Sequence, residues 1–225
     1  MSRYYKVTAL AISMFLSVML LLSCAPKSVS GRTAIISFIG SVEITRGTEA
    51  ARTVVLGEEL KQGDIIKTGP ASFMVFNIGE TATARIQPDS FVTLSNIADK
   101  ANIDISLMKG GVLNKVNKLA KGSSYKISTP TVVASVRGTV FSTYFEEGTN
   151  TVAVKNGNVE VAMKDNKESV SLKDGNTAVI RDGIIERPID EVENIVLENM
   201  SVLPAEINIE DKAQSEQLNQ QIIEK

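Results

Sequence analysis

Carboxylates and amines are the only reactive side chains this sequence offers in number. It holds 26 Asp and Glu, 24 Lys and Arg, one cysteine and no histidine. Without histidine neither a Ser-His-Asp triad nor a Cys-His pair can be assembled. Zinc sites rely on Cys or His in nearly every form, and haem and iron–sulfur centres draw on the same residues. No metal and no cofactor is therefore expected. What survives is carboxylate or lysine chemistry, calcium binding, or no chemistry. Asp64 and Glu80 are the carboxylates a glycosidase reading would pair. Scattered acids more often serve turns and surfaces, so no catalytic residue is assigned and an enzyme is not expected. Calcium has no signature either: Asp165-Asn166-Lys167-Glu168 and Asp174-Gly175-Asn176 do not continue into EF-hand spacing and read as solvated turns. The absence of tryptophan also weakens a carbohydrate-binding reading.

The one cysteine has a different context. Arg3 and Lys6 precede an uncharged run from Val7 to Leu22, and Leu21-Leu22-Ser23-Cys24 closes it with a small residue before the thiol. A basic start, an apolar stretch and a small residue at its end make a secretory signal peptide. With cysteine directly after, the segment resembles a bacterial lipoprotein lipobox. That resemblance implies removal of residues 1–23 and acylation of Cys24 as the first mature residue. The chain is then expected in the cell envelope, lipid-anchored to a membrane and facing the periplasm or the cell exterior. Loss of Arg3 and Lys6 takes the formal charge from −2 to −4. Nucleic acid, which needs clustered Lys and Arg, is not an expected partner. With Cys24 lipidated no disulfide forms, so the fold must rest on its core, and 43% hydrophobic residues make that feasible.

The elements follow from periodicity. Residues 24–34 read as a tether and residues 35–187 as one β domain. Ile36 to Arg46 reads as a strand broken near Gly40. Thr53 to Leu56 is a short strand, and Phe73 to Ile78 is apolar enough to be covered on both faces. Phe91 to Leu94 and Ile103 to Leu107 alternate. Thr151 to Lys155, Asn158 to Met163, Ser169 to Lys173 and Asn176 to Arg181 are short strands. Asn156-Gly157, Asp174-Gly175 and Asp182-Gly183 punctuate them as turns. Gly40-Ser41-Val42, Gly110-Gly111-Val112 and Gly157-Asn158-Val159 share a glycine-then-valine start, as weak repetition in a stacked structure would give. The expected class is all-β, a solenoid-like β-roll or a sandwich of short strands. From Pro188 to residue 225 a helical arm is expected, with Ile189, Val192, Val196 and Met200 on one stripe. Glu186 to Lys225 carries ten acids against three bases, a local charge of −7. Such a face is ordinarily solvated; its functional alternative is a docking arm for a basic partner.

Several stretches then match a known pattern in order. Gly57, Leu60, Gly63-Asp64, Ile66 and Thr68-Gly69 form Gly-x-x-Leu-x-x-Gly-Asp-x-Ile-x-Thr-Gly. Pro88-x-Ser90 leads to Leu94, Gly110-Gly111 to Leu113, and Thr129-Pro130 to Val136-Arg137-Gly138-Thr139-Val140-Phe141. Val152 to Val161 has the form Val-x-Val-x-x-Gly-x-Val-x-Val around Gly157. Together these resemble the FecR domain, the extracytoplasmic domain of iron-citrate uptake regulators, across Ile36 to Ile180. One departure is Asn77-Ile78-Gly79-Glu80, where the family more often carries an Asp-Gly turn. The motif residues read as scaffold: Asp64 accepting backbone N–H groups in its turn, Gly138 permitting a bulge, Thr139 capping it. Arg137 reads as a fork on backbone carbonyls at a strand bend, its alternative being a ligand for carboxylate or phosphate.

The family resemblance implies signalling from an outer-membrane receptor to a sigma factor. That relay needs a cytoplasmic region and a membrane-spanning helix, and neither is legible in this sequence. A transmembrane-signalling accessory is therefore the weakest reading. The leading expectation is a non-catalytic binding or scaffolding module that recognises another envelope protein through strand edges or the acidic arm. Its rival is a module for peptidoglycan or another cell-wall glycan, with Lys109, Asn114, Lys115, Asn117 and Lys118 as polar contacts.

Overall fold

A computed structural model of the protein describes residues 31–165, 168–182 and 184–189. Those residues form sixteen strands and no helix. The signal segment, most of the tether and the arm from residue 190 lie outside them.

The strands make two sheets because the chain repeatedly bends from one into the other. In sheet A the order is β1 (Thr33–Ile39), β5 (Phe73–Ile78), β6 (Ala82–Ile86), β8 (Asn102–Val116), β11 (Val140–Glu146), β12 (Thr149–Asn156), β15 (Thr177–Arg181) and β16 (Ile184–Ile189). Sheet B runs β3 (Arg52–Thr53), β2 (Val42–Thr45), β4 (Ile65–Thr68), β7 (Phe91–Asn96), β8 again, β9 (Ser124–Ser128), β10 (Val132–Val136), β13 (Asn158–Met163) and β14 (Ser169–Lys173). The first half of β8 pairs with β7 and β9, and its second half with β6 and β11. The crease falls at Gly110. Shorter strands cross at 40–41, 69–72, 87–90, 137–139, 157 and 174–176. A corner needs a residue that tolerates unusual backbone angles and close neighbours, which is why Gly40, Gly110 and Gly157 begin the three glycine–valine stretches. Every pairing is antiparallel except β8 with β9. The coil-on-coil parallel stacking of a solenoid is thus not what these strands do; they form the two-layer alternative, with neither sheet closed.

The core lies between the sheets. Ile44, Ile66, Leu94 and Ile105 from sheet B meet Phe76, Ile86, Val112 and Val154 from sheet A in one cluster. Tyr125 of β9 stands edge-on to Phe141 of β11, with ring centroids 6.3 Å apart. Its hydroxyl donates to Asn114 Oδ1 at 2.7 Å, and both residues are fully buried. Burial pushes the Tyr125 phenol pKa far above its ordinary value. An unfolded tyrosine ionises near pH ~10. The folded pKa is the raised one, so the stabilisation is complete below that pH and is lost as pH climbs above it. Wild-type stability is expected to fall between pH 10 and 12 more steeply than that of Tyr125→Phe, followed by urea unfolding at each pH. At pH 7 the variant should be weaker by about 1–3 kcal/mol, because Asn114 loses a buried donor.

Two expectations change. The strand expected over Thr53 to Leu56 shrinks to β3, and Val55 is 61% exposed. The helix expected from Pro188 does not start there. Residues 184–189 extend sheet A as β16, with Thr177 opposite Ile189. The free edge of β15 offers unpaired backbone groups, and satisfying them outweighs the helical spacing that begins at Ile189.

Candidate functional site

The crossing of 137–139 makes an open cleft. β10 leaves sheet B at Val136, and β11 enters sheet A at Val140. Beside it, residues 116–119 leave β8, and Gly157 carries β12 into β13. These corners are stacked. Val116 and Thr139 exchange backbone hydrogen bonds of 2.9 and 3.1 Å, and Leu119 N donates to Arg137 O at 3.0 Å. Thr139 Oγ1 donates to Asn158 O at 3.1 Å, and Gly157 N donates to Asp174 Oδ1 at 2.6 Å. The result is an open cleft of about 880 Å³. Asn117, Lys118, Arg137, Asn156, Asn158 and Glu160 line it. Two cations against one carboxylate leave it positive.

Like Lys118, Arg137 is a free group there among the described residues. Its side chain is exposed and makes no hydrogen bond or ion pair among the described residues. The fork expected to bind backbone carbonyls does not do so: the carbonyls at this bend are taken by N–H groups of the adjacent corner, and the guanidinium projects outward. An unengaged planar fork above a polar wall can take a carboxylate in two parallel hydrogen bonds.

The other motif residues are scaffold. Asp64 is fully buried and accepts from Arg46 Nε, Arg46 Nη2 and Lys61 N, each at 2.7 Å. That hydrogen-bonded pair raises the Arg46 pKa. The backbone contact at Lys61 is as expected; the ion pair with Arg46 is additional. Both Asp64 oxygens are engaged, and they serve the turn rather than pairing with Glu80. Gly63 holds that turn, its N–H donating to Leu94 O at 2.8 Å. Thr68 Oγ1 donates to Gln87 O at 2.6 Å and accepts from Ser90 N at 2.9 Å, joining two corners. Gly69 N donates to Ser41 O at 2.9 Å in the same column. Thr129 closes the β9–β10 turn: its Oγ1 accepts from Val132 N at 3.0 Å and donates to Asn150 Oδ1 at 2.6 Å. Pro130 sits exposed in that turn, with its backbone angle preset.

The residues proposed as glycan contacts do not converge. Asn114 points into the core and holds Tyr125. Lys109 lies by a second cleft of about 310 Å³ near Lys67 and Phe91, while Asn117 and Lys118 line the large one. The parity of β8 decides this, since alternate residues face opposite sides and the crease at Gly110 separates the two ends. Asn156, Asn158 and Glu160 were not expected at the cleft. The available signal was a polar residue on each side of Gly157 inside an otherwise Val-x-Val pattern. No group of three or more acidic, His or Cys side chains that could hold a metal occurs among the described residues. No helix among them is long and apolar enough to cross a membrane.

Two sheets of strands bent at a glycine-bearing crease, with Val-Arg-Gly-Thr at one corner, define an all-β module. The model of the FecR protein family matches residues 64–160, so the chain carries a FecR domain there. Two crystal structures of a candidate anti-sigma factor from Parabacteroides distasonis, at 2.50 and 1.65 Å, share the fold. Each superimposes with a TM-score of 0.52 at 16% identity, over 59% of this chain and 62% of that one. The match thus spans less than two thirds of the Parabacteroides protein. No curated protein matches the sequence.

Proposed function

We propose that this protein is an exported lipoprotein, acylated at Cys24, whose FecR domain is a non-catalytic docking module for another envelope protein. The crease cleft receives a carboxylate-bearing segment of that partner. The observation that carries this reading is Arg137: a signature residue whose neighbours Gly138 and Thr139 are consumed by the corner while its own guanidinium is unengaged among the described residues. The lipobox resemblance of Leu21 to Cys24 supports the tether, and the FecR domain supports a regulator-related role. The relay to a sigma factor is not carried over. No nucleic acid and no cofactor enters the reading.

In-cell crosslinking and pull-down of the whole lipoprotein tests it. Arg137→Ala is expected to lower partner recovery roughly tenfold, since a hydrogen bond to a charged group contributes about 1.5–3 kcal/mol. Recovery unchanged in both Arg137→Ala and an Arg137→Ala/Lys118→Ala double variant would sink the cleft as the site. Recovery of cell-wall material alone would replace the protein partner with a glycan. Cys24→Ala should move the chain from the membrane fraction to the soluble one; native mass spectrometry should find the acyl group on Cys24.

A further inference from the structure

The corners at 70–72 and 88–90 are the same turn made twice. Each reads Pro-x-Ser with its middle residue in the left-handed region, Ala71 at φ 50° and Asp89 at φ 54°. In each the serine Oγ donates to the proline carbonyl, at 2.9 Å from Ser72 and 3.1 Å from Ser90. Each serine Oγ also accepts a backbone N–H from the corner stacked on it, that of Ser41 or of Gly111, both at 2.9 Å. Alanine completes the first copy, so the turn has no need of a carboxylate. The carboxylate of Asp89 is exposed and makes no hydrogen bond or ion pair among the described residues. It borders the cleft of about 310 Å³ beside Lys109. There the strand registers set Glu43, Lys67, Phe91 and Lys109 in one row, each directly opposite the next. Residues paired in this way share a face, here the outer face of sheet B. Glu43 and Lys67 also lack a side-chain partner among the described residues. Lys109 reaches Glu146 at 3.9 Å, with both groups well exposed. Between the two lysines Phe91 is 39% exposed.

We propose that this second cleft binds a neutral carbohydrate ring, stacked on Phe91 and held by Glu43, Asp89, Lys67 and Lys109. Its floor is fixed in advance: Gly69 N donates to Ser41 O at 2.9 Å, and Asp89 N donates to Gly69 O at 3.2 Å. The charges choose the ligand. Two carboxylates and two ammonium groups sum to zero. An acidic segment would face Glu43 and Asp89, a basic one would face the lysines, and an apolar one would strip water from all four. Hydroxyl groups satisfy both kinds, donating to a carboxylate and accepting from an ammonium group. The negative face of a phenyl ring suits the polarised C–H bonds of a pyranose. Tryptophan is absent from the chain, and Phe91 supplies that face in its place. The cleft lies at the small end of the ~300–1,000 Å³ typical of small-ligand sites, so it holds a short stretch of glycan. It shares no lining residue with the cleft of Arg137. A sugar here and a protein partner there are therefore compatible.

Saturation-transfer NMR of the full chain with maltotetraose, cellotetraose and chitotetraose tests the proposal. At least one of these sugars is expected to receive saturation at its ring protons. Phe91→Ala should lower its affinity by about tenfold or more. Asp89→Ala should lower it by roughly three- to tenfold, as loss of a hydrogen bond to a charged group does. The thermal midpoint of Asp89→Ala should stay at the wild-type value, because the same turn already accepts alanine at Ala71. Arg137→Ala should leave sugar binding as it is. Absence of transfer to all of the sugars overturns the proposal. So does an affinity unchanged in both Phe91→Ala and Asp89→Ala. Loss of sugar binding in Arg137→Ala would move the sugar to the other cleft and overturn the assigned site. Tighter binding of tetragalacturonate than of any neutral sugar overturns the neutral assignment.

Discussion

Asp64→Ala lowers stability by about 3 kcal/mol and the thermal midpoint by roughly 6–12 °C. The side chain is fully buried and takes three hydrogen bonds, two from one guanidinium in parallel. Removing one member of a buried ion pair typically costs about 3–5 kcal/mol, since the other charge loses its compensation. The lower end applies because Arg46 is 26% exposed and can turn towards Glu58, already 3.6 Å away. The backbone N–H of Lys61 has no such alternative. Its loss loosens the turn that places Asp64 O to accept from Leu94 N, hence the pairing of β4 with β7. Asp64→Asn keeps an acceptor for Lys61 but gives up the charge, and should cost about 1–2 kcal/mol. Thermal unfolding followed by far-ultraviolet circular dichroism separates the two. A wild-type midpoint for Asp64→Ala would mean that the pair with Arg46 is replaceable and the motif aspartate is not structural.

Much of the β domain is legible in the sequence because two-residue alternation is local. The strands over Phe73 to Ile78 and Asn158 to Met163 follow from it directly. The corners are legible too, because a chain that must change sheets within a few residues advertises this with glycine. What is not legible is anything fixed by a partner far along the chain. Arg46 lies 18 residues from Asp64 and has no spacing rule to announce it. Asn114 looks like a surface amide, and only the parity of β8 beyond the Gly110 crease turns it inward to Tyr125. Pro188 and Ile189 fit the start of a helix by local rules, but β15 has an edge to fill. Arg137 fails more instructively. The glycine and threonine beside it do mark local backbone geometry, as their types suggest. That geometry is complete without the arginine, so the side chain is left to the cleft.

The same crossing yields the sharpest test of how the cleft keeps its shape. Gly157→Ala should cost about 3–4 kcal/mol, against roughly 1 for Gly175→Ala. Both glycines lie in the left-handed region, with φ of 100° and 79°. An added Cβ is penalised by about 1–2 kcal/mol on that ground alone. The difference is space. At Gly175 nothing lies within 4 Å of the new methyl, whereas at Gly157 it would sit 2.7 Å from Gly138 O and 2.9 Å from Thr139 Oγ1. The carbonyl belongs to backbone held on both sides, so relief requires moving the whole corner; forcing extra volume into packed structure costs a further ~1–3 kcal/mol. That movement would carry Arg137 with it. Gly157→Ala should therefore weaken partner capture even where the protein remains folded, while Gly175→Ala leaves it unchanged. Urea midpoints rank the stabilities and pull-down ranks the binding. Equal midpoints for the two variants would show that the corners do not brace one another, and the cleft would then owe its shape to the sheets on either side.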